Sequence, residues 1–171
     1  MRFHSSLSCL IVIGLVCHIS GCASFNGHGL VAGQSRPSDV EALMGPPAER
    51  VVRDNGESFW YYPRQPTGLQ TFVVRFSREG VMQDIEQRLT EQNLAKLVPG
   101  ATTTKDAREL LGPPWRTSHN YIQHRDVWDY RMYNLSRIEY NLYVQFSDDG
   151  LLREVVFLED RKASGSSRGK R

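Results

Sequence analysis

The apolar positions of this chain switch from a helical to an alternating period, and they do so twice. Val40, Leu43 and Met44 fall at i, i+3 and i+4, which predicts one face of a short helix. Ser35-Arg36-Pro37-Ser38 reads as its start, with proline in the first turn. Gly45-Pro46-Pro47 stops it, the glycine as a left-handed cap. The period then drops to two. Arg53-Asp54-Asn55-Gly56 is a turn between two strand-like runs, and Phe59-Trp60-Tyr61-Tyr62 is a strand. Phe72, Val74 and Phe76 share one face of the next strand. A hairpin loop, Ser77-Arg78-Glu79-Gly80, leads into a last strand at 81–87. The second round opens at Thr102-Thr103, with Asp106 placed for a capping box. Ala107, Leu110 and Leu111 form its helical face, and Gly112-Pro113-Pro114 ends it. Trp128 and Tyr130 follow, then Leu142, Val144 and Phe146, the loop Ser147-Asp148-Asp149-Gly150 and a strand at 151–158. Residues 90–97 predict an additional short helix for which the first round has little room.

The two rounds are copies. Gly33 and Gly100 stand 67 residues apart, as do Gly45 and Gly112, and the correspondence runs on through Trp60 and Trp128, Tyr62 and Tyr130, Phe76 and Phe146, Gly80 and Gly150. Self-similarity at a near-constant spacing marks a duplicated structural unit. We expect an α+β fold of two units, 30–88 and 89–160. Each would set one or two short helices on an antiparallel meander of three or four strands. A unit of about 65–70 residues buries a marginal core alone, so the two are expected to pack against each other.

The ends of the chain differ in character. Met1-Arg2-Phe3-His4, an apolar run from Leu7 to Ile19 and the small residues Ser20-Gly21 have the layout of a secretory signal over 1–21. The apolar run is short for a membrane span, which needs ~20 residues; an uncleaved anchor helix is the alternative. Residues 22–29 form a tether, and from Cys22 to Leu30 it reaches about 25 Å when extended. Cys9, Cys17 and Cys22 are the three cysteines of the chain, so the remainder has neither a disulfide framework nor a thiolate zinc cluster. The formal net charge is +2, and Arg161, Lys162, Arg168, Lys170 and Arg171 concentrate basic character in the segment 161–171. That segment predicts a disordered basic tail, and a charge distribution of this kind gives no argument for nucleic acid.

Candidate chemistry is sparse. Trp60, Tyr62, Trp128 and Tyr130 suggest either a binding platform or, since both copies have them, the bulky core beneath each helix. Phe59 and Tyr61 alternate onto the opposite face, where the second copy has Val127 and Asp129. They are the candidate partner or inter-module surface, to be covered by the second unit or by another protein. His119, His124 and Asp126 lie close in sequence, but their spacing matches no established ligand pattern, and a solvated hairpin tip is the better reading. Asp148-Asp149 is turn chemistry. No glycine-rich phosphate loop and no nucleophile–base set stands out. We therefore expect no catalytic residue, metal site or cofactor.

Two resemblances give these features a setting. Ile19-Ser20-Gly21-Cys22 resembles a bacterial lipobox. This implies a diacylglycerol on the Cys22 sulfur, cleavage just before it, and acylation of the new amino terminus. Two or three acyl chains hold a protein stably where one does not. Ala23 in place of an aspartate implies sorting to the outer membrane. Leu111-Gly112-Pro113-Pro114, Trp128-Asp129-Tyr130 and the run from Val144 to Leu151 resemble the SmpA/OmlA (BamE-like) lipoprotein domain, with Pro99-Gly100-Ala101-Thr102 similar to the lead-in to its second helix. The first copy has the same outline, so the tandem resemblance covers nearly all of 30–158 and is also similar to the two-unit β-lactamase-inhibitor protein fold. It implies a non-enzymatic, lipid-anchored outer-membrane protein facing the periplasm. Its expected partners are the membrane, through the lipid, and envelope proteins, including subunits of the β-barrel assembly machinery. A periplasmic binding or inhibitor module that captures an enzyme or envelope ligand is the alternative.

Overall fold

The computed structural model describes residues 26–160. The predicted signal 1–21, the lipidation candidate Cys22 with the start of its tether, and the tail 161–171 lie outside the described residues. Helix α1 (Pro37–Met44) precedes the strands β1 (Glu49–Val52), β2 (Ser58–Pro63), β3 (Thr71–Phe76) and β4 (Met82–Gln87). Helices α2 (Glu91–Leu94) and α3 (Thr104–Leu111) precede β5 (Arg116–Asn120), β6 (Arg125–Tyr133), β7 (Glu139–Ser147) and β8 (Leu152–Glu159). The strands form two four-stranded sheets, ordered β1-β2-β3-β4 and β5-β6-β7-β8, antiparallel throughout. Among the described residues no helix is long and apolar enough to cross a membrane.

This corrects the α+β expectation. The described chain is mostly β: eight strands stand against helices of only eight, four and eight residues. The reason is in the stop signals. Each helical period lasts about two turns before Gly-Pro-Pro ends it, while each alternating stretch extends to a complete four-stranded meander.

The sheets repeat one another closely. In the first, Trp60, Tyr62, Val74, Phe76 and Met82 pack beneath Val40 and Met44 of α1. In the second, Tyr130, Leu142, Val144, Phe146 and Leu152 pack beneath Ala107 and Leu111 of α3. The ring of Trp60 lies 4.7 Å from Phe76 at 56°, and Trp128 lies 4.8 Å from Phe146 at 55°. Trp60, Tyr62 and Tyr130 are therefore core, and Trp128 packs against that core while partly exposed. A register shift falls at Arg75/Phe76 and again at Gln145/Phe146.

The helix ends are set by local chemistry. Thr103 and Asp106 complete a reciprocal capping box, with Asp106 N–H donating to Thr103 Oγ1 at 3.1 Å and Thr103 N–H to Asp106 at 3.0 Å. The Thr103 hydroxyl also donates to the Asp106 carboxylate at 2.7 Å, and this bond, with that from the Thr103 N–H, holds the Asp106 carboxyl below its ordinary range. Gly45 and Gly112 close α1 and α3 at φ 81, ψ −175 and φ 81, ψ −177. This is the extended positive-φ region that only glycine occupies readily, and not the left-handed helical cap expected from the sequence.

The second helix of the second half joins the halves. While Ala107 and Leu111 face their own sheet, Arg108 pairs with Glu49 of β1 and Glu109 with Arg53 just beyond it. At the other side, the Gln65 side chain in the β2–β3 loop accepts the Arg131 N–H of β6 at 2.7 Å. β5 pairs with β6 only as far as Asp129, so this side chain serves an N–H that the ladder leaves open.

Candidate functional site

The candidate aromatic surface is covered. Phe59 and Tyr61 are 5% and 4% exposed and cluster with Val73, with Val51 packed at the margin. The end of α3 lies over them: a methyl group at Gly112 would stand 3.5 Å from Tyr61 Cδ1 and 2.5 Å from Thr71 Cγ2. The Arg53 guanidinium lies 4.2 Å above the Phe59 ring and is held there by Glu109. Burial pushes the Tyr61 phenol above its ordinary pKa.

The histidine cluster separates. His119 and Asp126 meet as a cross-strand pair, Nδ1 to Oδ1 at 2.8 Å, with Tyr121 edge-on to the imidazole. His124 sits apart in the turn at φ 51, and among the described residues no group of three His, Cys, Asp or Glu could hold a metal ion. The pair lines a shallow recess with Thr117, Ser118 and Trp128. Ser118 is the immediate neighbour of His119 on β5, so their side chains alternate to opposite faces and do not form a nucleophile–base pair.

An apolar concavity lies elsewhere among the described residues, in a place the aromatic motifs do not mark. β6, β7 and β8 are nine, nine and eight residues long, against six for each of β2, β3 and β4. α3 covers only part of this longer sheet. Beyond Tyr130 the inner face of β6–β8 is left open as a groove of about 700 Å³, within the range of small-ligand and side-chain pockets. Its floor is Met132, Tyr140, Val155 and Phe157, and its wall is Leu94 and Leu97.

The wall is fixed in place. Thr90 caps α2 by accepting from Asn93 N–H at 3.2 Å, and Asn93 Nδ2 donates to Leu110 O of α3 at 3.2 Å. Across the mouth, the Leu135 N–H in the β6–β7 turn donates to the Glu91 carboxylate at 3.1 Å. Glu91, Asn134 and the Tyr140 phenol supply the few polar groups. An apolar trough with sparse polar groups at its rim binds side chains or acyl chains by burial; it does not align a nucleophile with a base.

The duplication identifies what is particular about this groove. Under the repeat, Met132, Tyr140 and Phe157 correspond to Arg64, Gln70 and Gln87 of the first half. There the equivalent recess is lined by Asn26, Arg64, Thr67, Gly68, Gln70 and Phe72, a mostly polar set. Leu30 and Gly27, the counterparts of Leu97 and Leu94, pack on the first half, Leu30 against its core and Gly27 against Ile85. Both segments keep one turn, with Leu30 N–H to Gly27 O and Leu97 N–H to Leu94 O at 3.0 Å. The two copies share a scaffold, and only the second carries an apolar trough. A comparison of the copies for apolar-to-polar exchange is the sequence signal that could have found it.

No family model matches the chain, and no curated protein matches it. Among solved structures the chain is similar to the crystal structure of a DUF4309 family protein, YjgB from Bacillus subtilis, at 21% identity over 78% of this chain and 84% of that one, with a TM-score of 0.30.

Proposed function

We propose that this protein is a lipid-anchored lipoprotein of the outer membrane, facing the periplasm, that acts without catalysis as a scaffold or accessory factor in envelope protein assembly. The observation that carries the reading is the open groove over Met132, Tyr140 and Phe157, which suits an apolar segment of another protein. The lipobox-like Ile19-Ser20-Gly21-Cys22 supports the anchor. The resemblance to the SmpA/OmlA domain supports barrel-assembly subunits as partners.

Affinity capture of the tagged full chain from membranes tests it, with Cys22→Ala and Phe157→Ser alongside. We expect Cys22→Ala to leave the membrane fraction. We expect Phe157→Ser to stay there, keep its melting temperature within a few degrees and lose co-purification with barrel-assembly subunits. Unchanged fractionation of Cys22→Ala overturns the anchor, and unchanged co-purification of Phe157→Ser overturns the groove as the contact.

A further inference from the structure

Each sheet ends in two edge strands, and three of the four are protected against pairing with another chain. β1 is only four residues long, and α3 reaches it through the Arg108–Glu49 pair. β4 carries Asp84 and Glu86, and Gly27 packs on its Ile85. β5 is polar throughout, Arg-Thr-Ser-His-Asn. β8 is different. It is eight residues long and holds four apolar residues in succession, Val155, Val156, Phe157 and Leu158.

The free backbone groups of this edge follow from its register. Asp160 N–H donates to Glu139 O of β7 at 3.0 Å. Successive residues of an antiparallel strand turn their N–H and C=O groups to opposite sides. Glu154, Val156 and Leu158 therefore bond to β7, and Val155, Phe157 and Glu159 point away from it. Among the described residues nothing bonds to those outward groups. A bulge at Arg153 reverses the alternation, and Leu152 accepts from Gly100 N–H at 2.7 Å and donates to Thr102 O at 2.8 Å. The loop before α3 thus closes the edge at Leu152, and the open stretch runs from Arg153 to Glu159.

A row of unpaired backbone groups is completed by another polypeptide strand, and β8 fits its own edge. We propose that the protein forms a two-fold dimer in which β8 pairs antiparallel with β8 of a second copy, about an axis at Val156. Residues 153–159 of one copy then oppose 159–153 of the other and fill the open stretch to both ends. Val155 of each copy exchanges two backbone bonds with Phe157 of the other, Val156 meets Val156, and Arg153 stands opposite Glu159. Other registers are worse. An axis at Phe157 sets Glu154 opposite Asp160 on one face, a pair of like charges. An axis at Val155 drives Leu158 of the second copy onto Leu152, whose edge Gly100 and Thr102 already occupy. The dimer joins the two four-stranded sheets into one of eight and keeps both grooves on the same side, adjoining across the junction. It requires neither the lipid anchor nor the groove's own partner, and it can fail while those readings stand.

The test is disulfide trapping of the full chain carrying Val156→Cys or Leu158→Cys, oxidised in intact cells with copper phenanthroline. At the axis the two Cα atoms of position 156 lie about 4.5 Å apart, within reach of a disulfide. Those of position 158 are four residues out of register, about 13 Å along the strand. Leu158 is 53% exposed, more than Val156, so it controls for chance collision. We expect several-fold more bridged dimer from 156 than from 158, with mass spectrometry identifying the bridge against the background of Cys9, Cys17 and Cys22 in the wild-type chain. Sedimentation of the purified chain supplies the second measurement. Phe157→Pro removes an outward N–H and no bond to β7, so it should lower the dimer fraction several-fold below that of Phe157→Ala at a similar melting temperature. Should Phe157→Pro fail to fold, Glu159→Arg, which sets like charges at both ends of the ladder, is expected to weaken the dimer in the same way. A wild-type chain that stays monomeric at every loading concentration overturns the proposal. Bridging from 158 equal to that from 156 does so too, as does a dimer fraction indifferent to these variants.

Discussion

The hydroxyl of Tyr130 donates to the carbonyl of Gly112 at 2.9 Å, fastening the middle of β6 to the end of the helix packed above it. The first half makes the same bond between Tyr62 and Gly45, at 3.3 Å. In both, a buried phenol satisfies a carbonyl that the helix end leaves without an intrahelical partner. Removing the hydroxyl strands that carbonyl. Tyr130→Phe should cost about 1–3 kcal/mol in urea unfolding, and Tyr62→Phe, with the longer bond, about 0.5–1.5 kcal/mol. Equal and negligible losses would show that the two bonds contribute nothing to the fold.

The same phenols make a prediction in pH. Burial, aided by Glu41 and opposed by Arg50, pushes Tyr62 up to about 12, and burial raises Tyr130 as well. An unfolded tyrosine ionises near 10. Between these values the unfolded chain loses a proton that the folded chain keeps, so ionisation favours unfolding. The stabilisation is complete below pH 10 and declines as pH rises from 10 towards 12. In Tyr62→Phe the alkaline decline should be shallower than in the wild type, as read from melting temperatures across that range. A parallel decline in the two proteins would contradict the assignment.

The glycines after the two helices separate backbone strain from crowding. Gly45 and Gly112 share almost identical dihedrals, but only Gly112 has a neighbour where a methyl would go, Thr71 Cγ2 at 2.5 Å. Thr71 is fully buried between the halves and cannot swing out to solvent. Gly45→Ala should therefore cost about 1–3 kcal/mol from backbone strain alone. Gly112→Ala should cost more, by the movement forced on Thr71. Equal losses in chemical denaturation would mean that the halves do not meet at Thr71.

The contact between the halves should depend on its aromatics far more than on its ion pairs. Tyr61 is buried under the end of α3, and Tyr61→Ala should cost about 3–5 kcal/mol. Arg108 and Glu49 are partly exposed, and a double-mutant cycle on them should return a coupling of about 0.2–1 kcal/mol. A coupling larger than the loss at Tyr61 would reverse this ranking.

How much of the fold is legible in the sequence depends on which residues carry a local signal. The strand faces of Trp60 and Tyr62 and of Leu142, Val144 and Phe146 follow from alternation alone, because a period of two assigns each side chain a face. The duplicated Gly-Pro-Pro stops are equally plain. The balance of the fold is not, since a helical period of two turns looks like a structural layer until it is set against four full strands. Phe59 and Tyr61 announce a covered face without identifying the cover, which is non-local and comes from α3, some fifty residues later in the chain. The groove escapes the sequence for a related reason. Met132 and Phe157 read as ordinary inward strand positions; Met132 is buried at the floor, and the exposure of Phe157 arises because β6–β8 outrun the helix above them.

The account rests on the second half presenting an apolar trough where the first half presents a polar one. A photoreactive side chain at Tyr140, in the groove, and another at its counterpart Gln70 test this most directly in the full-length protein within its own membranes. The account predicts discrete adducts to barrel-assembly subunits from position 140 and none from position 70. Adducts of equal yield from both positions, or none from 140, would contradict it.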